Sequence, residues 1–155
     1  RFPAAMDYVE AAARAGEEGR VVRSRLGRTC PPPSADWREL TAHAGAPGLD
    51  EGESRKARRA LRERGRFTRN FVIQASAADW ALVLLADLRR RLAAGAQLVF
   101  FQHDEVVVHC PRQLAGTAVA AAVAAGEQAK RLVFGDTPVR LPLNTRVVDC
   151  YADAK

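Results

Sequence analysis

Leu98-Val99-Phe100-Phe101-Gln102-His103-Asp104-Glu105-Val106-Val107-Val108 is the stretch on which the fold turns. Two short runs rich in β-branched and aromatic residues flank four consecutive polar ones. The runs are continuous rather than alternating, which predicts a buried antiparallel hairpin with a polar tip. Upstream, Ala77, Trp80, Leu84, Leu88 and Leu92 recur at helical spacing and predict a helix over about 74–94, with Arg89, Arg90 and Arg91 in its last turn and Gly95 just beyond. Downstream, a helix is expected over about 112–134, with an apolar face at 115, 118, 119, 122, 123 and 129 and Gly135 as its stop. The expected class is α+β, helices packed on a small antiparallel sheet.

The remaining segments fit around that centre. Residues 2–18 read as a helix opened by Pro3 and closed by Gly19. Val21, Val22 and Leu26 suggest a short extended piece ending at Gly27-Arg28. Residues 29–52, with Pro31, Pro32, Pro33, Gly45, Pro47, Gly48 and Gly52, read as a loop, long enough to be mobile or functional. Helix resumes near Glu53, and Val139 to Tyr151 reads as one more extended segment. No sequence repeat is visible. The chain opens on Arg1 rather than Met and shows no secretory pattern, so it reads as a processed chain, a trimmed one or a fragment of something longer, while its cysteine usage fits a reducing cytoplasm.

Composition narrows the class. With 155 residues and 48 % hydrophobic content the chain has enough material for one compact core and is no disordered tail. The longest apolar run, Ala118 to Gly126, is too short to span a bilayer. Cys30, Cys110 and Cys150 are odd in number and far apart, which argues against a disulfide framework or a structural zinc site, and His43, His103 and His109 lack zinc-ligand spacing. The net charge of +6 is concentrated: between Glu53 and Arg69 lie Arg55, Lys56, Arg58, Arg59, Arg62, Arg64, Arg66 and Arg69 against Glu53 and Glu63 alone, an excess equal to that of the whole chain. Such a stripe is either a phosphate-binding footprint or a solvated helix face.

Two constellations carry chemistry. His103-Asp104-Glu105 puts adjacent carboxylates between apolar strands without the glycine usual in tight hairpins. Its plain reading is a polar tip. Its functional reading is a Mg²⁺ site, since Mg²⁺ takes one or two carboxylates plus substrate phosphate oxygens. Arg66, Asn70 and Gln74 are four apart, so a continuous helix sets three hydrogen-bond donors on one face. They are either ordinary surface groups or a row that tests base-pair geometry through minor-groove acceptors, which every base pair shows. Asp79-Trp80 is weaker, with Trp80 expected in the core.

Taken in order, these pieces resemble family A DNA polymerases, the DNA polymerase I type. Phe2-Pro3, Tyr8, Gly19-Arg20-Val21, Gly27-Arg28 and Pro31 resemble the stretch that follows the fingers helix of that family. Arg66, Asn70 and Gln74-Ala75-Ser76-Ala77-Ala78-Asp79 resemble its R-x(3)-N-x(3)-Q-G-T-A-A-D segment, and Gln102-His103-Asp104-Glu105-Val106 resembles its motif C. The wording is nearest to high-GC bacterial versions of the bifunctional exonuclease/polymerase type. The resemblance spans nearly the whole chain. It implies a palm subdomain fragment over 1–155, with the remnant after the fingers helix at 1–28 and the loop at 29–52.

The resemblance also implies roles. Asp104 would be a ligand of the catalytic Mg²⁺, Glu105 would support that metal site, and His103 would lie near the primer end. Arg66, Asn70 and Gln74 would contact primer and template in the minor groove, and Arg55, Arg58, Arg59 and Arg62 are expected to touch phosphates. The implied partners are primer–template DNA and deoxynucleoside triphosphates, with no membrane, in a parent protein that is monomeric and nucleoid-associated. The implied reaction is attack of a primer 3′ hydroxyl on the α-phosphate of a deoxynucleoside triphosphate with two metals. Departures are visible: Ala75-Ser76 replaces Gly-Thr, Phe71-Val72-Ile73 lacks the family's proline, and Asn144 to Tyr151 lacks its Gly-rich end. Neither a D-Y-S-x-x-E-like block nor an R-x(3)-K-x(6)-Y-G-like fingers helix occurs; both are expected upstream of Arg1. Two other readings remain open, a non-catalytic basic DNA-binding module and a small metal-dependent hydrolase.

Overall fold

The computed structural model describes residues 2–45, 48 and 50–154. Five helical or strand elements expected from the sequence are joined by one that was not. Helix α1 spans Pro3–Glu17, α2 Ala35–Thr41, α3 Glu51–Arg91 and α4 Ala115–Phe134; strands β1 Gln97–Gln102 and β2 Glu105–His109 pair antiparallel. The class is α+β, with a two-stranded sheet. The described residues fall into two compact units, 1–77 and 78–155, each with its own core; α3 runs through both.

In the first unit α1 and α3 meet through small residues. Ala12, Ala15 and Gly16 of α1 are buried, as are Gly65, Thr68 and Val72 of α3. The Thr68 hydroxyl donates to the Ala12 carbonyl at 2.8 Å, so the one fully buried polar side chain of this crossing is satisfied. A Cβ at Gly16 would stand 2.0 Å from Thr68 Oγ1, so the approach requires glycine there. Val22 and Cys30 complete the cluster, brought together by a turn in which the Cys30 amide donates to the Val22 carbonyl and Arg23 bridges Thr29.

The stretch 29–52 is not simply a loop, which corrects the expectation. It carries α2, capped by Ser34, whose hydroxyl accepts from the Trp37 amide. Trp37 donates its indole N–H to the Ala60 carbonyl at 3.2 Å, and its ring edge faces Gly19, whose φ of +69° ends α1. The three prolines masked this helix because they sit immediately before its cap. Pro47, expected in the same loop, lies outside the described residues.

The two helices expected over about 53–94 are one. Asp50 caps it by accepting from the Gly52 amide at 2.9 Å, Glu51 and Glu53 favour its positive end, and Arg89, Arg90 and Arg91 its negative end. Nothing interrupts the 41 residues between; Phe71-Val72-Ile73, without proline, continues the ladder. By length and composition alone α3 holds one window, of mean hydropathy 1.5, apolar enough to cross a membrane. In the second unit its residues Trp80, Leu84 and Leu88 pack instead in a core with Ala121, Ala125 and Ala129 of α4. The buried face of α4 is thus Ala121, Ala125, Gly126, Ala129 and Val133, not the expected one; of the expected face only Ala129 is fully buried, and Val123 is exposed. Residues 115–126 of α4 are apolar at every position but Thr117, so periodicity there gave little contrast to read.

The hairpin is also not buried on both faces. Val99, Phe100 and Phe101 are 55 %, 41 % and 43 % exposed. A register shift between Leu98 and Phe100 makes Val99 a bulge, and beyond it Phe100 pairs Val107, Phe101 pairs Val106 and Gln102 pairs Glu105. Leu98, Val106 and Val108 face the Leu84–Leu88 cluster; Phe100, Val107, Gln102 and Glu105 fall on the other face. Residues 139–148 join no strand, correcting that expectation: Leu143 packs on Gly126, and the chain ends in a 3₁₀ turn over Tyr151–Ala154.

Candidate functional site

The basic stripe lies on the first unit's part of α3. At about 100° per residue, Arg55, Arg58, Arg59, Arg62 and Arg66 cluster on the side opposite Ala57, Thr68, Val72 and Ala75, which are buried. All five arginines are exposed. Their engagement differs. Arg58 donates to Ser54 Oγ at 2.6 Å, and Arg59 pairs with Glu63 at 2.8 Å, which holds that carboxyl below its usual range. Arg55, Arg62 and Arg66 make no hydrogen bond or ion pair among the described residues. Glu51, Ser54, Arg55, Arg58 and Arg62 line an open groove at the start of the helix.

Two cations counted in the stripe belong to the scaffold. Arg64 donates to the Pro31 carbonyl at 2.5 Å, lies 3.8 Å from Cys30 Sγ and stacks 5.2 Å from the Phe67 ring centre. Burial raises the pKa of the Cys30 thiol, and the Arg64 charge offsets part of that rise. Arg69 pairs with Glu10 of α1 at 2.9 Å.

Arg66, Asn70 and Gln74 are all exposed and form one row along the unbroken helix, drifting by about 40° per step. The row lies in the first unit and the acidic turn in the second; the structure brings together the members of each group.

In the acidic turn Gln102 and Glu105 are the last pair of the ladder, so the loop is only His103-Asp104. His103 has φ +55°, the only positive φ at a non-glycine among the described residues. A positive φ at the first turn position alone is the pattern of a type II′ turn, where glycine is preferred. Asp104 is exposed and has no partner among the described residues. Glu105 accepts a hydrogen bond from the Tyr151 hydroxyl at 2.6 Å, and the Tyr151 ring meets Phe100 edge-on, centroids 6.0 Å apart at 62°. That carboxylate raises the Tyr151 phenol above its ordinary pKa. Tyr151 is the contact the sequence reading missed; 46 positions separate it from Glu105, and no local pattern joins them.

No group of three or more His, Cys, Asp or Glu residues able to hold a metal occurs among the described residues. The turn fits Mg²⁺ only as a partial donor set, one free carboxylate and one engaged, with the remaining ligands to come from substrate or elsewhere. Asp79 is buried, and Trp80 packs against the core as expected, its indole nitrogen without a hydrogen-bond partner. His43 and His109 are exposed. Compared with known proteins, the chain matches no family model, no curated protein and no solved structure.

Proposed function

We propose that the chain is a palm segment of a family A type DNA polymerase, which holds primer–template DNA along α3 and contributes Asp104, with Glu105 behind it, to a Mg²⁺-dependent nucleotidyl-transfer site. The observation that carries this reading is the unbroken helix that sets Arg66, Asn70 and Gln74 in one exposed row, in a chain that also presents a free carboxylate at a strained two-residue turn. Donors in such a row can test base-pair shape without reading sequence. Strained turns cluster at functional sites, and His103 stands beside the carboxylate a metal would use. A divalent ion held at Asp104 supplies charge stabilisation to the oxygens around the transferring phosphoryl group. His103 would face the primer end.

The 155-residue chain alone is expected to bind primer–template DNA without extending it. It carries neither a second metal aspartate motif nor a triphosphate-gripping helix, and phosphoryl transfer depends on positioning. In the parent polypeptide that this reading requires, Asp104→Asn should remove most nucleotide addition, at a cost of several kcal/mol of transition-state stabilisation, about a thousandfold in rate. Thermal melting and DNA affinity should stay near wild type. Extension by the mutant at near wild-type rate returns Asp104 to a plain hairpin tip. The second reading, a non-catalytic basic DNA-binding module, is favoured by the unengaged Arg55, Arg62 and Arg66, and predicts salt-dependent DNA binding with no nucleotide addition in any context.

A further inference from the structure

We propose that Tyr151 is a positioning residue for the acidic turn: its hydroxyl engages one oxygen of Glu105, so that Asp104 is the carboxylate left fully open to a divalent cation. The inference rests on reading the turn as part of a metal-dependent site.

The two adjacent carboxylates are unequal. Glu105 lies on the outer face of the hairpin with Phe100, and there the Tyr151 hydroxyl donates to its Oε2 at 2.6 Å. The hydroxyl is held in place from two sides. Its ring rests edge-on against Phe100, and two residues earlier Asp149 accepts from Arg112 at 2.5 Å, which ties the closing segment to the turn ahead of α4. Asp104 has no such tether among the described residues. An ion approaching the turn therefore finds Asp104 free, but must displace the phenol before Glu105 can offer that oxygen. A turn with both carboxylates free would hold the ion more tightly without substrate. With Glu105 restrained, the ion depends on phosphate oxygens to complete its shell, the arrangement Mg²⁺ favours at phosphoryl-transfer sites.

The test uses the 155-residue chain labelled for NMR, with Mn²⁺ as a paramagnetic probe. In the wild type, broadening should centre on residues 103–105 and vanish in Asp104→Asn. Tyr151→Phe removes the hydroxyl but keeps the ring, and should bind Mn²⁺ about three- to tenfold more tightly, the worth of one released hydrogen bond. The gain must run through Glu105, so adding Glu105→Gln should abolish it. Ring contacts from position 151 to Phe100 should persist in Tyr151→Phe, which separates a lost hydroxyl from a detached tail. Unchanged affinity in Tyr151→Phe with those contacts intact overturns the proposal and leaves the metal reading standing. A gain that survives Glu105→Gln overturns it as well. If Mn²⁺ leaves the wild-type turn unbroadened, the metal reading itself fails and takes this role with it.

Discussion

His103 concentrates the tension of the hairpin in one residue. A side chain at φ +55° brings its Cβ against the backbone, at a cost of about 1–2 kcal/mol for most residues and less for histidine, which enters this region more readily than bulky residues do. Glycine would remove that cost and fits the first position of such a turn. His103→Gly should therefore leave the melting temperature unchanged or raise it, whereas His103→Val should lower stability by about 1–2 kcal/mol in denaturant titration. If His103→Gly instead destabilises the chain, the ring makes a contact that offsets the strain, and the turn is structural rather than poised for function. The asymmetry between Asp104 and Glu105 belongs to the same scale: neighbours in sequence, they differ because one accepts from Tyr151.

Among the elements, the crossing of α1 and α3 has the least slack. Gly16 makes room for the Thr68 side chain and Gly65 for that of Glu17, and Thr68, fully buried, bonds across to the Ala12 carbonyl. Gly16→Ala places a methyl group 2.0 Å from the Thr68 hydroxyl oxygen, a distance that only backbone movement relieves. Thermal or chemical denaturation should show a loss of about 1–3 kcal/mol, although alanine is the better helix former by about 1 kcal/mol. A Gly16→Ala chain as stable as wild type would mean that the crossing is looser than described. The consequence reaches the candidate DNA row, because this crossing holds the first-unit part of α3 from which Arg66, Asn70 and Gln74 project. In the hairpin, the bulge at Val99 does comparable work: it lets a continuous apolar run keep Leu98 on the core face while Glu105 and Phe100 share the outer one.

Across the whole molecule, the net charge of +6 is less available than its sum implies. Arg64 is committed to Pro31 and Phe67, Arg69 to Glu10 and Arg59 to Glu63. On the proposed reading, the cations left to meet phosphate include Arg55, Arg62 and Arg66. Two substitutions of equal charge should then behave differently. Arg62→Gln should weaken DNA binding for every sequence and reduce the log–log salt slope by about 1, with melting unchanged. Arg64→Gln should lower the melting temperature, because the Pro31 carbonyl loses its donor and Phe67 its stacked cation, and should alter the salt slope little. Binding isotherms across a salt series, paired with melting curves, separate the two. Equal salt-slope changes for both would show that the stripe acts as an undivided patch of charge.

Much of this was legible in the chain itself. The α+β class, α1 with its Pro3 start, the ends of α4, the hairpin and the core role of Trp80, Leu84 and Leu88 follow from helical and strand periodicities and from residues that start and stop elements, all of them local physics. The four-residue spacing of Arg66, Asn70 and Gln74 likewise required only an unbroken helix to become a row. Tertiary structure decided the rest. The first twelve residues of α4 are apolar but for Thr117, so the position of Leu84 and Leu88 is what selects Ala121, Ala125 and Ala129 as its buried face. A bulge at Val99 leaves no mark in a run of apolar residues, because its register is set by what the strand packs against. Whether a basic residue is free for phosphate or spent on the scaffold depends on partners such as Pro31 and Glu10, far away in the chain. The Tyr151 hydroxyl reaches Glu105 only once the tail folds back over Phe100, since spacing in sequence carries no information about contacts that packing alone creates.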